Sequence, residues 1–215
     1  MRKELGGESS SLVIREYRDS DELAWVRCRV LAFLDTSYRD DIHPYRERYD
    51  NPAVQLVAED SLTGQLVGLL DVEYERKPGD VCNFPGELGG VIWHLAVLPE
   101  YRSKGIANQM WHHALELLRA QQITRLEVWT QDDDAANRWY TKRGFTLKTR
   151  YLNVYSRGPI SQGPMKDLLP GLGDTWKYRH IRSFNFEAEV KKREELEKLS
   201  YRLHEVRGYE LKLTG

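Results

Sequence analysis

Cysteine is nearly missing from this 215-residue chain: Cys28 and Cys82 can close at most one disulfide, and neither belongs to a CxxC or Cys/His metal spacing. A disulfide-stapled scaffold and a zinc module are thereby excluded, and both thiols are expected to pack as small apolar groups in a reducing compartment. An excess of charge is absent as well, because 32 Lys+Arg stand against 33 Asp+Glu for a net charge of -1. A general nucleic-acid binder needs surplus cations to displace phosphate counterions, so no nucleic-acid partner is expected, and an acidic tail protein is excluded too. No apolar run approaches the ~20 residues that cross a bilayer. The opening MRKELGGESSS lacks the apolar stretch of a secretory signal. The expectation is a cytoplasmic protein with no membrane partner.

What is present is enough apolar and aromatic side chain, 40% and 11% of residues, to bury a core. Residues 1–10 read as a flexible leader. Ser11–Tyr17 has the β-branched content of a strand. Asp19 and Asp21 offer N-caps for a helix to about Leu34, with Leu23, Val26, Val30, Phe33 and Leu34 at helical spacing. The polar, aromatic stretch from Asp35 to Pro52 leaves a second short helix open. Ala53–Asp60 and Gln65–Glu75 read as a hairpin across SLTG, and Arg76–Gly90, with two prolines and four glycines, as a long loop.

The apolar run Val91–Leu98 suits a strand covered on both faces, ended by Pro99. A helix from Gly105 places Ile106, Ala107, Met110, Trp111, Ala114, Leu117 and Leu118 on one stripe and Asn108, Gln109, His112, His113, Glu116 and Arg119 on the other. Arg125–Thr130 and Phe145–Tyr155 are strands flanking a short helix, Asp134–Arg143, that Gly144 stops. The alternation of strands and helices predicts a mixed α/β sheet with helices on both faces.

Residues 11–155 are expected to form the main domain and 156–215 an extension. In the extension, 156–177 is rich in Gly and Pro, and about Glu187–Arg207 reads as a charged helix with Glu187/Lys191, Glu189/Arg193 and Glu194/Lys198 at i,i+4. Its seam of Leu196, Leu199, Leu203 and Val206 spans only about two heptads, so docking on the parent domain is expected ahead of a coiled-coil homodimer, which is left open. A last strand at Tyr209–Leu213 is left open too.

The informative unit is LAVLPEYRSKGIANQ, residues 95 to 109, where a strand gives way through a short loop to a helix. Unpaired N–H groups at a helix start, together with the helix dipole, make an anion site, and Arg102 and Lys104 add positive charge. Gly105 allows close approach, and a pyrophosphate is the natural guest. Taken alone, the unit reads equally as a tight connection. A second signature follows in LEVWTQDDDAANRWYTKRGF, residues 126 to 145. L-A-V-x-P-x-x-R-x-x-G-x-A and the later A-N-R-W-Y-x-x-x-G-F together resemble the GNAT superfamily of N-acetyltransferases, and the order of elements matches from Ser11 to about Tyr155.

The resemblance implies a mostly antiparallel central sheet and acetyl-CoA as acyl donor. It places the backbone of Leu95, Ala96 and Val97 along the pantetheine arm, and Arg102, Ser103, Lys104, Gly105, Ile106 and Ala107 around the pyrophosphate. Asn137 would lie in the helix flanking the donor, although relatives often carry an Asn where this chain has Asp132, Asp133 and Asp134. Tyr140 matches the family's general acid, while a tyrosine packed at a helix end is the plain alternative.

An alkyl amine with a pKa of ~10.4 arrives protonated, so a base is needed. Val91 and Trp93, expected on the face of Leu95 and Val97, cannot take a proton, and alternation sends His94 to the other face. Glu127 resembles the base position of ribosomal-protein N-terminal acetyltransferases, with Asp71, Glu73 or a water chain as alternatives. No metal site is expected: His112 and His113 cannot share one helix face, and Asp132–Asp134 open a helix, where capping accounts for them. The acceptor is expected to be a small-molecule or peptide amine, which acidic residues such as Asp40, Asp41 and Glu47 could attract. A non-catalytic acyl-CoA-binding or interaction module is the competing class.

Overall fold

A computed structural model describes residues 12–39, 43–157 and 183–213. The leader 1–10, Asp40, Asp41 and nearly all of the Gly/Pro-rich segment expected over 156–177 lie outside the described residues.

The first strand, β1 (Leu12–Glu16), leads into α1 (Glu22–Phe33), followed by the hairpin β2 (Ala53–Asp60) and β3 (Gln65–Tyr74). Next come β4 (Gly89–Val97), α2 (Ile106–Ala120), β5 (Arg125–Thr130) and α3 (Asp134–Thr141). The chain closes with β6 (Thr146–Arg157), β7 (Ser183–Ala188), α4 (Arg193–Glu197) and β8 (Arg202–Lys212). The strands form one sheet in the order β1-β2-β3-β4-β5-β8-β6-β7. Among the described residues only β4 and β5 pair in parallel, and the other ladders are antiparallel. No helix among the described residues is long and apolar enough to cross a membrane.

The core of the predicted α2 stripe is buried, with Ile106, Met110, Trp111, Ala114 and Leu118 inward and Ala107 and Leu117 half-buried at its edges. The face of α1 differs from expectation. Trp25, Cys28, Arg29 and Ala32 are the buried residues, whereas Leu23 is 75% and Leu34 60% exposed. A fully buried arginine holds this face in place: Arg29 donates to the Glu47 carboxylate and to the carbonyls of His43 and Tyr45. That pairing lies in the 43–49 segment and cannot be read from helical spacing. Between Asp35 and Pro52 the described residues form turns and bends, not a second helix.

The extension is built differently from the expected helix over Glu187–Arg207. Among its described residues the one α-helix, α4, has five residues, and strands occupy both sides of it. Exposed i,i+4 ion pairs contribute only about 0.3–0.5 kcal/mol each. β8, by contrast, satisfies backbone groups on both of its edges, from Arg125↔Lys212 on one side and Thr146↔Glu210 on the other. Leu196 still docks, with Leu152 and Val154 in a small second core. The last strand is therefore present and longer than Tyr209–Leu213. The expected boundary between 11–155 and 156–215 does not divide the fold, because β8 sits inside the sheet between β5 and β6.

Candidate active site

β4 and β5 stay in register from Gly89↔Arg125 to Ile92↔Val128 and then part. β4 runs on to Val97 with its far edge still paired to β3, which leaves the edge toward β5 open. At the point of separation the β3–β4 register slips: Val72 pairs with Ile92 but Asp71 with His94, so Trp93 is an inserted residue. The bulge overturns the expected alternation. Trp93 donates its indole N–H to Glu73 at 2.9 Å, and His94 packs edge-on against Trp25 of α1, so both lie on the α1 side. Leu95 and Val97 point the other way, because Gly68, the partner of Val97, faces Met110 of α2.

Two clefts flank the opening. The first, about 540 Å³, is bounded by Leu95, Ala96 and Val97, by Ser103, Gly105 and Ile106 at the start of α2, and by α3. The second, about 590 Å³, is bounded by Trp93, His94, Trp129, Tyr151 and Glu187. Phe33, Tyr38, Leu95, Ala136 and Tyr140 line both.

At the far end of the first cleft the backbone takes left-handed conformations at Ser103 (φ 62°) and Gly105 (φ 81°). No side chain caps α2, and a Cβ built on Gly105 meets nothing within 4 Å. The N–H groups of the first turn thus face open space, the arrangement that receives an anion. Arg102 folds back instead, bonding Ala32 O at 2.7 Å, Val97 O at 3.2 Å and the Asp35 carboxylate, which ties the loop to the end of α1. Lys104 lies over the Tyr101 ring at 4.8 Å and is not among the residues lining the cleft. Ala107 lines it.

Tyr140 sits where the clefts meet, 6% exposed, its ring held edge-on by Trp139 and Phe145. Burial pushes its phenol well above the ordinary value, with Tyr38 adding to the shift and Arg143 opposing it, so the hydroxyl keeps its proton at neutral pH. Asn137 takes a different place from the expected one. Its Oδ1 accepts from Thr130 (2.7 Å) and Tyr209 (2.9 Å), and its Nδ2 donates to the carbonyls of Gln131 and Asp133. All of its amide valences are engaged, so it fastens α3 to the end of β5 and lines neither cleft.

Glu127 is fully buried and lines neither cleft. Its carboxylate accepts the backbone N–H of Asn83 (2.9 Å) and Phe84 (2.8 Å) and pairs with Arg125 at 2.7 Å. Asp71 is bound by Arg46 and Tyr49, and Glu73 by Asn51 and Trp93.

A family model described as the acetyltransferase (GNAT) family matches residues 16–145, more than half of the chain. The chain belongs to the GNAT family of acetyltransferases. Among solved structures, the ribosomal-protein-S18-alanine N-acetyltransferase of Escherichia coli superposes with a TM-score of 0.54 at 11% identity, covering 95% of this chain and 96% of that one. The yncA protein of Salmonella typhimurium, solved with its cofactor acetyl-CoA, gives 0.54 at 16% identity, with 95% of each chain covered. NAA60 of Arabidopsis thaliana, in complex with a bisubstrate analogue, gives 0.52 at 13% identity, covering 95% and 99%. At these identities the likeness is one of fold. A comparison with curated proteins finds no match.

Within this GNAT chain, Tyr38, Trp93 and His94 join the site although nothing in their local pattern marks them. Tyr38 accepts the Gln131 N–H at 3.1 Å, linking the segment after α1 to the end of β5. His94 Nε2 lies 3.2 Å from Glu47, which Arg29 also holds. Burial alone would raise the Glu47 carboxyl, but the hydrogen bonds from His94 and Arg29 prevail and bring it down from 4.5 to about 2. The fold favours the ionised form, so this contribution to stability is complete above pH 4.5 and is lost as pH falls through about 2. Glu47→Gln is therefore expected to unfold at lower urea than the wild type at pH 6, with the two midpoints converging toward pH 2. Parallel curves at all pH values would contradict this linkage.

Proposed function

We propose that the chain is an acetyl-CoA-dependent N-acetyltransferase that moves an acetyl group to a primary amine by direct attack on the thioester, in the cytoplasm. The observation that carries this reading is the meeting of two clefts at Tyr140, beside an open strand edge that ends at an uncapped helix start. The residues fit the donor. The free edge of β4 beyond Ile92 offers main-chain partners along which an extended pantetheine arm can lie as an added strand. Ser103, Gly105, Ile106 and Ala107 border the end where a pyrophosphate would meet the N–H groups of α2. Acetyl-CoA, when bound, supplies a thioester carbonyl open to attack by an amine. The yncA protein of Salmonella typhimurium, solved with its cofactor acetyl-CoA, supports that choice of donor.

His94 accepts the proton that the attacking amine must lose, its ring steadied by ionised Glu47. Tyr140 holds a proton on the phenol oxygen at the junction and donates it to the departing sulfur. Glu127, enclosed by Asn83, Phe84 and Arg125, anchors the 76–88 loop.

Two measurements test the proposal: thermal stabilisation by CoA, and free-thiol release from acetyl-CoA across a panel of primary amines. Stabilisation together with amine-dependent thiol release is the expected result. His94→Gln should then lower kcat by about a hundredfold, the scale of a lost general base, while CoA still stabilises the variant. Stabilisation with no release on any amine would make the chain a binding module, and neither effect would sink both readings.

A further inference from the structure

The second cleft has a composition of its own. Its floor is Trp129, stacked on Phe84 with centroids 5.4 Å apart and flanked by Tyr151 at 6.2 Å. The floor is built into the sheet: Gly208 of β8 stands opposite Trp129, and a Cβ there would come within 2.8 Å of the indole and 3.0 Å of Phe84. A side chain in mid-strand has been given up so that a flat ring can lie on the backbone. The indole N–H of Trp129 is buried and has no hydrogen-bond partner among the described residues. Trp93, 49% exposed, lines the same cleft and is held by Glu73 through its indole N–H.

Charge on this cleft is one-sided. Among the described residues no Lys or Arg lines it, and its one carboxylate there is Glu187 on β7, to which the Tyr151 hydroxyl hydrogen-bonds. Tryptophan faces attract cations as well as flat rings, and a carboxylate at a low-charge cleft raises the local concentration of a cation. A volume of about 590 Å³ lies within the range of small-molecule sites.

We propose that the acceptor is a small primary amine carried on an aromatic or similarly flat apolar body, which lies on Trp129 between Trp93 and Tyr151, with Glu187 drawing its ammonium group in. The amine then reaches the shared edge at Leu95 and Tyr140. This inference rests on the acetyltransferase reading and adds an acceptor class to it. Strands from beyond residue 155 thus form one wall of the acceptor cleft, through Glu187 and Val206.

The test compares 2-phenylethylamine and tryptamine with spermidine, lysine and short peptides, using thiol release from acetyl-CoA with full-length protein. The aryl amines should give the highest kcat/KM, and 2-phenylethylamine should quench tryptophan fluorescence in the absence of donor. Trp93→Ala should raise KM for the aryl amine about tenfold, as loss of a cation–π and stacking partner does, with Trp93→Phe recovering most of it. Glu187→Gln should lower kcat/KM about two- to fivefold, an effect that fades at high salt. Preference for spermidine, lysine or a peptide, or variants that change all amines alike, would overturn this acceptor class while leaving acetyl transfer intact. Quenching by the aryl amine with no thiol release would instead overturn the transferase reading and leave the amine site standing.

Discussion

Tyr140→Phe is expected to lower kcat by about a hundredfold, the scale of a lost general acid, while CoA stabilises the variant as it does the wild type. The substitution removes one oxygen and keeps the ring, so the edge-on contacts with Trp139 and Phe145 survive. The expectation follows from place and charge together. Tyr140 borders both clefts, and burial keeps its phenol protonated, as a group that must give a proton to a thiolate requires. Single-turnover thiol release with saturating amine measures the chemical step directly. A variant that retains full kcat would return Tyr140 to a packing role at the helix end.

The second large effect is on stability. Glu127→Gln is expected to cost about 3–5 kcal/mol, the penalty for breaking a buried ion pair by changing one partner. In a chain of this size that lowers Tm by roughly 10 °C. The carboxylate meets only donors, the N–H groups of Asn83 and Phe84 and the Arg125 guanidinium. An amide in its place turns an NH₂ toward one of them and leaves Arg125 without its nearest countercharge. Glu75 and Glu210 lie farther from Arg125, at 3.7 and 3.6 Å, and soften the loss without replacing the bond. Thermal unfolding measures the change, and a Tm within 2 °C of the wild type, joined to lost turnover, would restore Glu127 as a candidate base.

The legible parts of this fold are those in which neighbours in sequence decide. The α2 stripe follows from side chains three and four apart, and Asp133 caps α3 by accepting the Ala136 N–H at 2.9 Å. Gly144 ends that helix because its φ of 87° suits glycine. Cys28 and Cys82 are free and buried, and burial pushes the Cys28 thiol up to about 12. The misread parts depend on residues far away. Leu23 and Leu34 fit a helical stripe as well as Trp25 and Cys28 do, until Glu47 arrives to pair with Arg29. Asn137 looks free to meet a ligand until Tyr209, 72 residues on, donates to it.

By itself the sequence determined the family, the start of α2 just after Gly105 and the short helix α3 before Gly144, because each is written in a few consecutive residues whose backbone needs are local. Tertiary structure alone decided which side chains line the second cleft. The bulge at Trp93 arises from strand pairing and reverses the faces of every residue before it, and β8 enters the sheet because two open ladders reward it more than a few exposed ion pairs reward a helix.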